Sequence, residues 1–158
     1  MTVTAAPTFT VERVLVANPH GYCAGVLFAL RGVDLARQIY PDHPVWVYHE
    51  IVHNPDPVNE LRAAGVSFCN DVAEAPDGAV LVFSAHGVSP AVRAQAAARK
   101  FHAVIDLTCP LVARVHDAVR RHATRQIILV GKRSHDETQG TMGEVPERTH
   151  VVSSVADV

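Results

Sequence analysis

The sequence predicts an α/β fold in which strand-loop-helix units build a parallel sheet covered by helices. Short aliphatic runs of strand length, such as residues 79–83 (AVLVF), alternate with longer segments whose apolar residues recur at helical spacing, such as residues 26–39. Hydrophobic residues make up 48% of the chain and aromatic residues only 6%. Such an aliphatic bias favours buried parallel strands, and regular alternation of strands with helices is typical of this fold class.

The first half of the chain is predicted to contain two strand-loop-helix units and one short further strand. Glycine, proline and asparagine mark the loop at residues 18–25 (NPHGYCAG), and Gly65 ends the second helix. A polar loop is predicted at residues 49–57. The predicted strands are residues 13–17, 45–48 and 66–68, and the predicted helices are residues 26–39 and 58–64.

The second half of the chain continues the same pattern. Pro90 and Pro110 each stand where proline is best tolerated, at the first turn of a helix. The polar stretch at residues 131–143 (GKRSHDETQGTMG) is predicted to be a loop. The predicted strands are residues 79–83, 103–105 and 126–130, and the predicted helices are residues 90–100 and 110–123.

The chain is predicted to divide near Phe101, where one long helix ends and the strand-loop-helix pattern starts again. Residues 1–12 form a flexible N-terminal tail, residues 13–101 a first α/β unit and residues 102–158 a second unit. Only about two strands of the second unit fit before the chain ends. We therefore expect this unit to be incomplete, with an apolar sheet edge and face left exposed.

Charge and cysteine content exclude several classes of partner. The net charge is −2 and the sequence pI is near 6.5, so no basic field is available to attract nucleic acid or an anionic membrane. The N-terminus has neither a signal-peptide layout nor a membrane-spanning apolar run. Three cysteines, an odd number, argue for reduced thiols rather than disulfides, and we expect a cytoplasmic protein.

Reactive side chains follow each of the main predicted strands. In open parallel sheets, ligands bind beyond the carboxyl ends of the strands, where every strand-to-helix loop emerges. The sequence therefore predicts one rim on which five loops converge. The residues on these loops are Cys23, His53, His86, Cys109 and His135.

Cys23 and Cys109 each precede a predicted helix, where backbone N–H groups and the helix dipole favour a thiolate ligand or nucleophile. The alternative for both is a small buried hydrophobic residue, the commonest role of free cysteine. That alternative is the preferred interpretation for Cys69, which follows a strand-like segment with no helix start beside it.

The three loop histidines are individually compatible with surface or turn roles, since the chain has ten histidines, but together on one rim they favour a site. Glu137 is the carboxylate that could exchange a proton there, with Asp136 as a competitor and a solvated loop acid as the alternative. His116 is expected to be an ordinary helical histidine. Hydroxyl side chains near the same loops would suit a phosphate or diphosphate: Ser84, Ser89, Thr108 and Thr138.

Five motifs in one order carry a family resemblance: NPHGYCAGV, VYHEIVHN, FSAHGVS, DLTCPLVARVH and HDETQGTMG. Together they resemble the 4-hydroxy-3-methylbut-2-enyl diphosphate reductase family, iron-sulfur enzymes of the last step of the non-mevalonate isoprenoid pathway. The resemblance covers residues 13–158 and about the first half of that family's usual chain.

This resemblance implies about one and a half units of a three-unit, trefoil-like assembly around a 4Fe-4S cluster. It assigns Cys23 and Cys109 as metal ligands, and Glu137 as the acid that delivers protons. The reaction implied is reductive removal of an allylic hydroxyl, giving isopentenyl and dimethylallyl diphosphate, with electrons from a ferredoxin or flavodoxin-type donor. The residues assigned to the substrate's diphosphate or pocket are His53, His86 and His135.

The sequence also departs from the family. A third cluster cysteine is not present in this chain, and Cys69 stands where the family uses no iron ligand. Three hypotheses follow. The chain is the reductase or a half that works with a second polypeptide supplying the missing unit, or it is a non-catalytic remnant that folds and binds diphosphate or a partner chain. The third, a zinc or Cys-His hydrolase, explains the residue types without explaining the order of the motifs.

Overall fold

The computed structural model describes residues 12–18 and 20–157. Apart from Glu12, the predicted N-terminal tail lies outside the described residues. The helices are α1 (Ala24–Ile39), α2 (Pro55–Ala63), α3 (Pro90–Ala97), α4 (Pro110–Arg121) and α5 (Asp136–Met142). The strands are β1 (Val45–Tyr48), β2 (Ser67–Cys69), β3 (Val80–Phe83), β4 (Ala103–Asp106), β5 (Ile127–Val130) and β6 (Thr149–Val152).

All strand pairs are parallel, which confirms the predicted α/β class. Four strands form one sheet in the order β2-β1-β3-β4, and β5 and β6 form a separate pair. The strand at Ala103–Asp106, assigned from the sequence to the second unit, is bonded to β3 and so lies in the first sheet. The division into units at residue 101 stays a prediction.

The core surrounds β3, the strand whose four residues are all buried. Val80 and Val82 face one layer together with Val33 and Val58 of the helices. Leu81 and Phe83 face the opposite layer, where Cys69, Val72 and Val88 pack. Since burying one such aliphatic side chain contributes roughly 1.5–3 kcal/mol, these two layers hold the loops after β1 and β3 on a rigid base.

Two helices differ from the sequence prediction because their caps outweigh hydrophobic periodicity. Helix α2 begins at Pro55 rather than residue 58, since the Asn54 side chain accepts a hydrogen bond from the Asp56 amide and proline occupies the first turn. Helix α5 forms inside the stretch predicted to be a loop. His135 caps it, accepting from the Glu137 amide at 3.3 Å, and its buried face consists of Thr138, Gly140 and Thr141.

The prediction of a strand at residues 13–17 is wrong for this structure. Residues 12–17 form no strand, and Val14, Leu15 and Val16 are 69–77% exposed. A β-strand needs a neighbour for its backbone groups, and the described residues offer none here. Smaller differences concern ends: α1 starts two residues earlier than predicted, α3 and α4 end earlier, and β2 is shifted by one residue.

Apolar side chains remain exposed on the second sheet and on α1. Ile128 and Val130, which alternate along β5, are 71% and 80% exposed, so the described residues leave one face of this strand pair uncovered. On α1, Phe28 and Leu35 are about half exposed. Among the described helices, none combines the length and apolar character needed to cross a membrane.

Candidate functional site

Cys23 and Cys109 meet at the start of two helices. Cys23 is the N-cap of α1 and Cys109 the N-cap of α4, and neither side chain makes a capping hydrogen bond. A Cβ placed on Gly25 would lie 2.6 Å from the Cys109 sulfur and 3.9 Å from the Cys23 sulfur. The two sulfurs therefore border the same small space, which is open only because residue 25 has no side chain.

The loop after β4 brings Cys109 into this position. The Cys109 amide donates to the Ala85 carbonyl at 3.0 Å, which ties the β4 loop to the β3 loop. Asp106 accepts from both the amide and the hydroxyl of Thr108. Burial opposes ionisation of Asp106, but these hydrogen bonds and Arg93 outweigh it and lower its pKa.

The pair of thiols fits part of an iron-sulfur cluster. Both cysteines are free, both project from helix N-termini, and the glycine between them leaves room that any other residue would fill. Cys23 and Cys109 could supply two thiolate ligands of such a cluster. The described residues place no third cysteine with them, because Cys69 lies under β1 with its sulfur 3.7 Å from the Val47 carbonyl.

Cys69 is 2% exposed, which confirms its interpretation as a buried hydrophobic residue. Burial, with Glu74 and Asp71 nearby, raises the pKa of its thiol to about 11. At pH 8 only about one thiol in a thousand is then ionised, so we expect Cys69 to resist iodoacetamide while exposed Cys23 reacts within minutes. Peptide mass spectrometry over a time course measures both rates. Equal rates for Cys69 and Cys23 in the folded protein would contradict this expectation. As a control, the two rates should become equal when denaturant unfolds the protein.

Three histidines from three loops lie against one another. The rings of His53 and His86 stack with centroids 3.9 Å apart, and the His135 ring meets them edge-on at 4.7 and 6.0 Å. His53 is exposed, whereas His86 and His135 are partly buried. The structure thus brings together the three histidines that the sequence placed on one rim.

A fourth histidine, His49, supports the cluster formed by His53, His86 and His135 through a contact with Asp136. His49 follows β1 in the left-handed conformation (φ 59°), which is uncommon for residues other than glycine. Its Nδ1 atom lies 2.8 Å from a carboxylate oxygen of Asp136, the first residue of α5. This contact fixes the start of α5, and hence His135, against the first sheet.

His86 is held in its neutral form. Burial lowers the pKa of His86 to about 4; His53, His135 and His49 act in the same direction, while Asp136 opposes them. His86 Nε2 is buried with no hydrogen-bond partner among the described residues. At neutral pH the ring therefore offers an N–H group or a lone pair, but no charge.

This depressed pKa predicts how stability depends on pH. Between pH 6.5 and about 4 the unfolded chain protonates His86 and the folded chain does not, so the free energy of unfolding falls as the pH falls through this window. We expect His86 to contribute on the order of 1–3 kcal/mol to this loss. Urea unfolding at pH 7 and pH 4.5 measures it. The His86→Gln variant should have a flatter pH dependence, and the exposed His122→Gln variant should match the wild type; identical slopes for all three would contradict the assignment.

Glu137 borders the histidine cluster. Its half-buried side chain lines a cleft of about 300 Å³ together with Lys132, His135 and Thr138. Because the Glu137 amide donates to His135 Nδ1, a neutral His135 carries its proton on Nε2. The cleft therefore places a carboxyl group and an imidazole N–H donor side by side.

His53, His86 and Asp136 have the residue types of a metal site. Their donor atoms lie within 4.8 Å of one another. Ligands of one zinc ion, bound at about 2.1 Å each, are at most about 4.2 Å apart, so this cluster would have to contract around a metal. Asp136 is moreover engaged by His49. The geometry therefore gives the hydrolase hypothesis no particular support.

Two pairs of residues in this region were missed from the sequence. His49 with Asp136 and His116 with Glu144 join residues 87 and 28 positions apart in the chain. Neither pair has a local spacing signal. His116 was expected to be a core or solvated helical histidine; it is a core one, 3% exposed, and its pairing with an equally buried glutamate was not predicted.

Fold and donor set together define a class: a parallel α/β protein whose candidate ligand groups gather at the carboxyl edge of its strands, where such folds bind their ligands. Within this class, the family described as LytB protein matches residues 14–158, and the chain belongs to that family.

Curated relatives and solved structures agree with this membership. The chain is 51% identical over 145 residues to a 4-hydroxy-3-methylbut-2-enyl diphosphate reductase of Nocardia farcinica. The aligned region covers 90% of this chain and 43% of the relative. It is 48% identical over 151 residues to the enzyme of that name from Rhodopirellula baltica, covering 94% of this chain and 47% of the relative.

Among solved structures, the chain is similar to the E-1-hydroxy-2-methyl-but-2-enyl-4-diphosphate reductase of Plasmodium falciparum. The TM-score is 0.83 at 41% identity, over 89% of this chain and 44% of that one. The chain thus spans somewhat less than half the length of the relatives it matches, and it corresponds to their N-terminal part.

Proposed function

We propose that this chain forms the N-terminal half of a 4-hydroxy-3-methylbut-2-enyl diphosphate reductase and supplies two of the three thiolate ligands of its 4Fe-4S cluster. The observation that carries the proposal is the meeting of the Cys23 and Cys109 sulfurs over Gly25. Two thiols brought to one point by residues 86 positions apart are expected for a shared ligand. The names of the relatives supply the reaction.

In this proposal Cys23 and Cys109 hold the cluster, and a third cysteine comes from outside these 158 residues. When bound, the cluster supplies the electrons and a Lewis-acidic iron for the substrate hydroxyl. The two N-cap positions direct helix N-termini at the site, which suits a group carrying negative charge.

His53, His86 and His135 bind the diphosphate. Their rings lie within 6.0 Å of one another by centroid distance, which suits several donors on one anion. Because His86 is neutral at pH 7, it contributes an N–H hydrogen bond rather than an ion pair. His135, with its Nδ1 occupied as an acceptor, donates from Nε2.

Glu137 supplies protons. Removal of an allylic hydroxyl by reduction consumes two electrons and two protons and releases water, so the leaving oxygen needs a proton donor within reach. Glu137 lies in the cleft beside His135, where a carboxylic acid is positioned for that transfer.

In this proposal a third α/β unit outside these 158 residues completes the site. The exposed alternating side chains of β5, Ile128 and Val130, and the half-exposed Phe28 of α1 support an apolar contact with a third α/β unit that carries the missing cysteine. The proposal includes the trefoil-like arrangement, a ferredoxin or flavodoxin-type electron donor and a cytoplasmic location, all by resemblance to the reductase family.

Anaerobic reconstitution with iron and sulfide tests the ligand assignment. We expect Cys23→Ala and Cys109→Ala each to lower iron and acid-labile sulfide per chain at least fivefold, because two-point attachment is lost. Cys69→Ala is the matched control and should retain the wild-type content, since its thiol faces β1. Iron content unchanged in both the Cys23 and Cys109 variants would refute the assignment; electron paramagnetic resonance of the reduced samples identifies the cluster type.

The second candidate is a non-catalytic remnant that binds diphosphate but holds no cluster. The observation in its favour is that the chain spans less than half of its relatives and has two cluster cysteines. Calorimetric titration with inorganic pyrophosphate separates the two. Binding by a chain that takes up no iron, alone or mixed with a polypeptide carrying the third unit, would establish the remnant.

A further inference from the structure

A buried histidine–glutamate pair lies next to the loop that carries His86. His116 of α4 and Glu144, which follows α5, have side chains that are 3% and 2% exposed, and His116 Nδ1 is 2.7 Å from Glu144 Oε1. Arg120 reaches the other carboxylate oxygen from the surface at 2.8 Å, as an ion pair without hydrogen-bond alignment. Burying polar groups such as these costs desolvation energy that apolar residues of the same size would avoid, which makes the pair a candidate for a positioning role.

The His116 ring packs against two glycines of different segments, which also contact each other. A Cβ on Gly87 would lie 3.1 Å from His116 Cε1 and 3.2 Å from Nε2, and a Cβ on Gly140 would lie 3.3 Å from Cε1. The Gly140 Cβ would also lie 3.0 Å from the Gly87 carbonyl oxygen. Three segments, the β3 loop, α4 and α5, therefore meet at one imidazole ring without free space.

Each glycine adjoins a residue of the histidine cluster. Gly87 directly follows His86, and Gly140 lies in α5, the helix that His135 caps. The edge of the His116 ring consequently packs against the point where the His86 loop contacts α5. His116 Nε2 has no hydrogen-bond partner among the described residues, so the Nδ1 contact with Glu144 is what orients the ring.

We propose that His116 is a positioning residue: oriented by Glu144, its ring holds His86 and His135 at the spacing required to bind one diphosphate. The inference rests on the proposed diphosphate site and adds to it a residue that touches no ligand. Pairing to glutamate holds the ring in one orientation, and because both neighbours are glycines its Cε1 edge packs directly against the contact between the two segments.

Three variants separate the functions of the ring. His116→Phe keeps a ring and loses the hydrogen bond, His116→Asn keeps a donor in the Nδ1 position and loses the ring edge, and Glu144→Gln keeps an acceptor. Val119→Ala is the matched control, because Val119 is a buried residue of α4 whose loss destabilises the helix packing without touching Gly87 or Gly140.

The readouts are side-chain nuclear magnetic resonance signals of His86 and His135, pyrophosphate affinity by calorimetry, and melting temperature. We expect both His116 variants to shift the two ring signals and to weaken pyrophosphate binding at least tenfold, while Glu144→Gln stays within about threefold of the wild type. Val119→Ala should lower the melting temperature and change neither of the other readouts.

The proposal is overturned if the His86 and His135 ring signals do not shift in either His116 variant while the melting temperature falls as it does in Val119→Ala. His116 would then be a structural residue only. A wild-type chain that binds no pyrophosphate would defeat the diphosphate site instead, and the ring signals would still decide the positioning role. If neither His116 variant folds, the His116→Phe/Glu144→Leu double variant replaces the buried polar pair with apolar side chains. The His86 and His135 ring signals of that variant then decide the positioning role.

Discussion

Replacing Gly87 with alanine is expected to lower the free energy of unfolding by about 2–4 kcal/mol and to abolish pyrophosphate binding. Gly87 has φ +75°, where an alanine costs about 1–2 kcal/mol. The added Cβ would also lie 3.1 Å from both Thr108 Cγ2 and the His116 ring. Since Glu144 prevents that ring from moving aside, the contact adds overpacking of about 1–2 kcal/mol.

Gly78→Ala is the matched control for Gly87→Ala. Gly78 has nearly the same backbone conformation, φ +80°, but nothing lies within 4 Å of its Cβ position. Urea unfolding of both variants therefore separates backbone strain from crowding: Gly78→Ala should show the strain alone and bind pyrophosphate normally. Equal losses of stability in the two variants would mean that the space between Gly87, Thr108 and the His116 ring accommodates a methyl group freely.

Replacing Gly25 with alanine is expected to lower iron uptake at least tenfold with little loss of stability. The new Cβ would lie 2.6 Å from the Cys109 sulfur, closer than such atoms approach, so the thiol must rotate away from Cys23. A single side-chain rotation costs little energy, but it removes one of the two ligands from the shared space. Iron and sulfide analysis after reconstitution measures the effect.

A double-mutant cycle with Cys109→Ala tests the physical reason. Without the sulfur, the nearest atom to the added methyl group is the Cβ of residue 109 at 3.3 Å, a contact that a small adjustment relieves. Alanine is better than glycine in a helix by up to about 1 kcal/mol. Gly25→Ala should therefore be neutral or destabilising in the wild type and stabilising in the Cys109→Ala background. The same change in both backgrounds would show that the two residues do not contact each other.

The sequence predicted the convergence of the candidate site because it follows from a rule about parallel strands. His53, His86 and Cys109 each follow a strand of the first sheet, and the carboxyl ends of parallel strands share one edge. Cys23 reached the same edge although none of the described residues before it forms a strand. Its position depends instead on the packing of α1 on the sheet, where Val33 and Ala36 are buried.

Helix α5 and residues 13–17 show where sequence patterns failed. Helix α5 has no apolar stripe, since its buried face is made of threonine and glycine packed against another loop. Residues 13–17 have a strand-like pattern, but strand formation depends on a partner, and periodicity within five residues contains no information about one.

The sequence by itself determined the fold class, the order of the motifs and the loops that carry thiols and imidazoles, because periodicity and turn chemistry act between near neighbours. Only the tertiary structure decided which groups meet: the two sulfurs over Gly25, the stacked His53 and His86, and the pairing of His116 with Glu144. The same holds for the neutral state of His86, since its low pKa arises from burial and from charges distant in the chain.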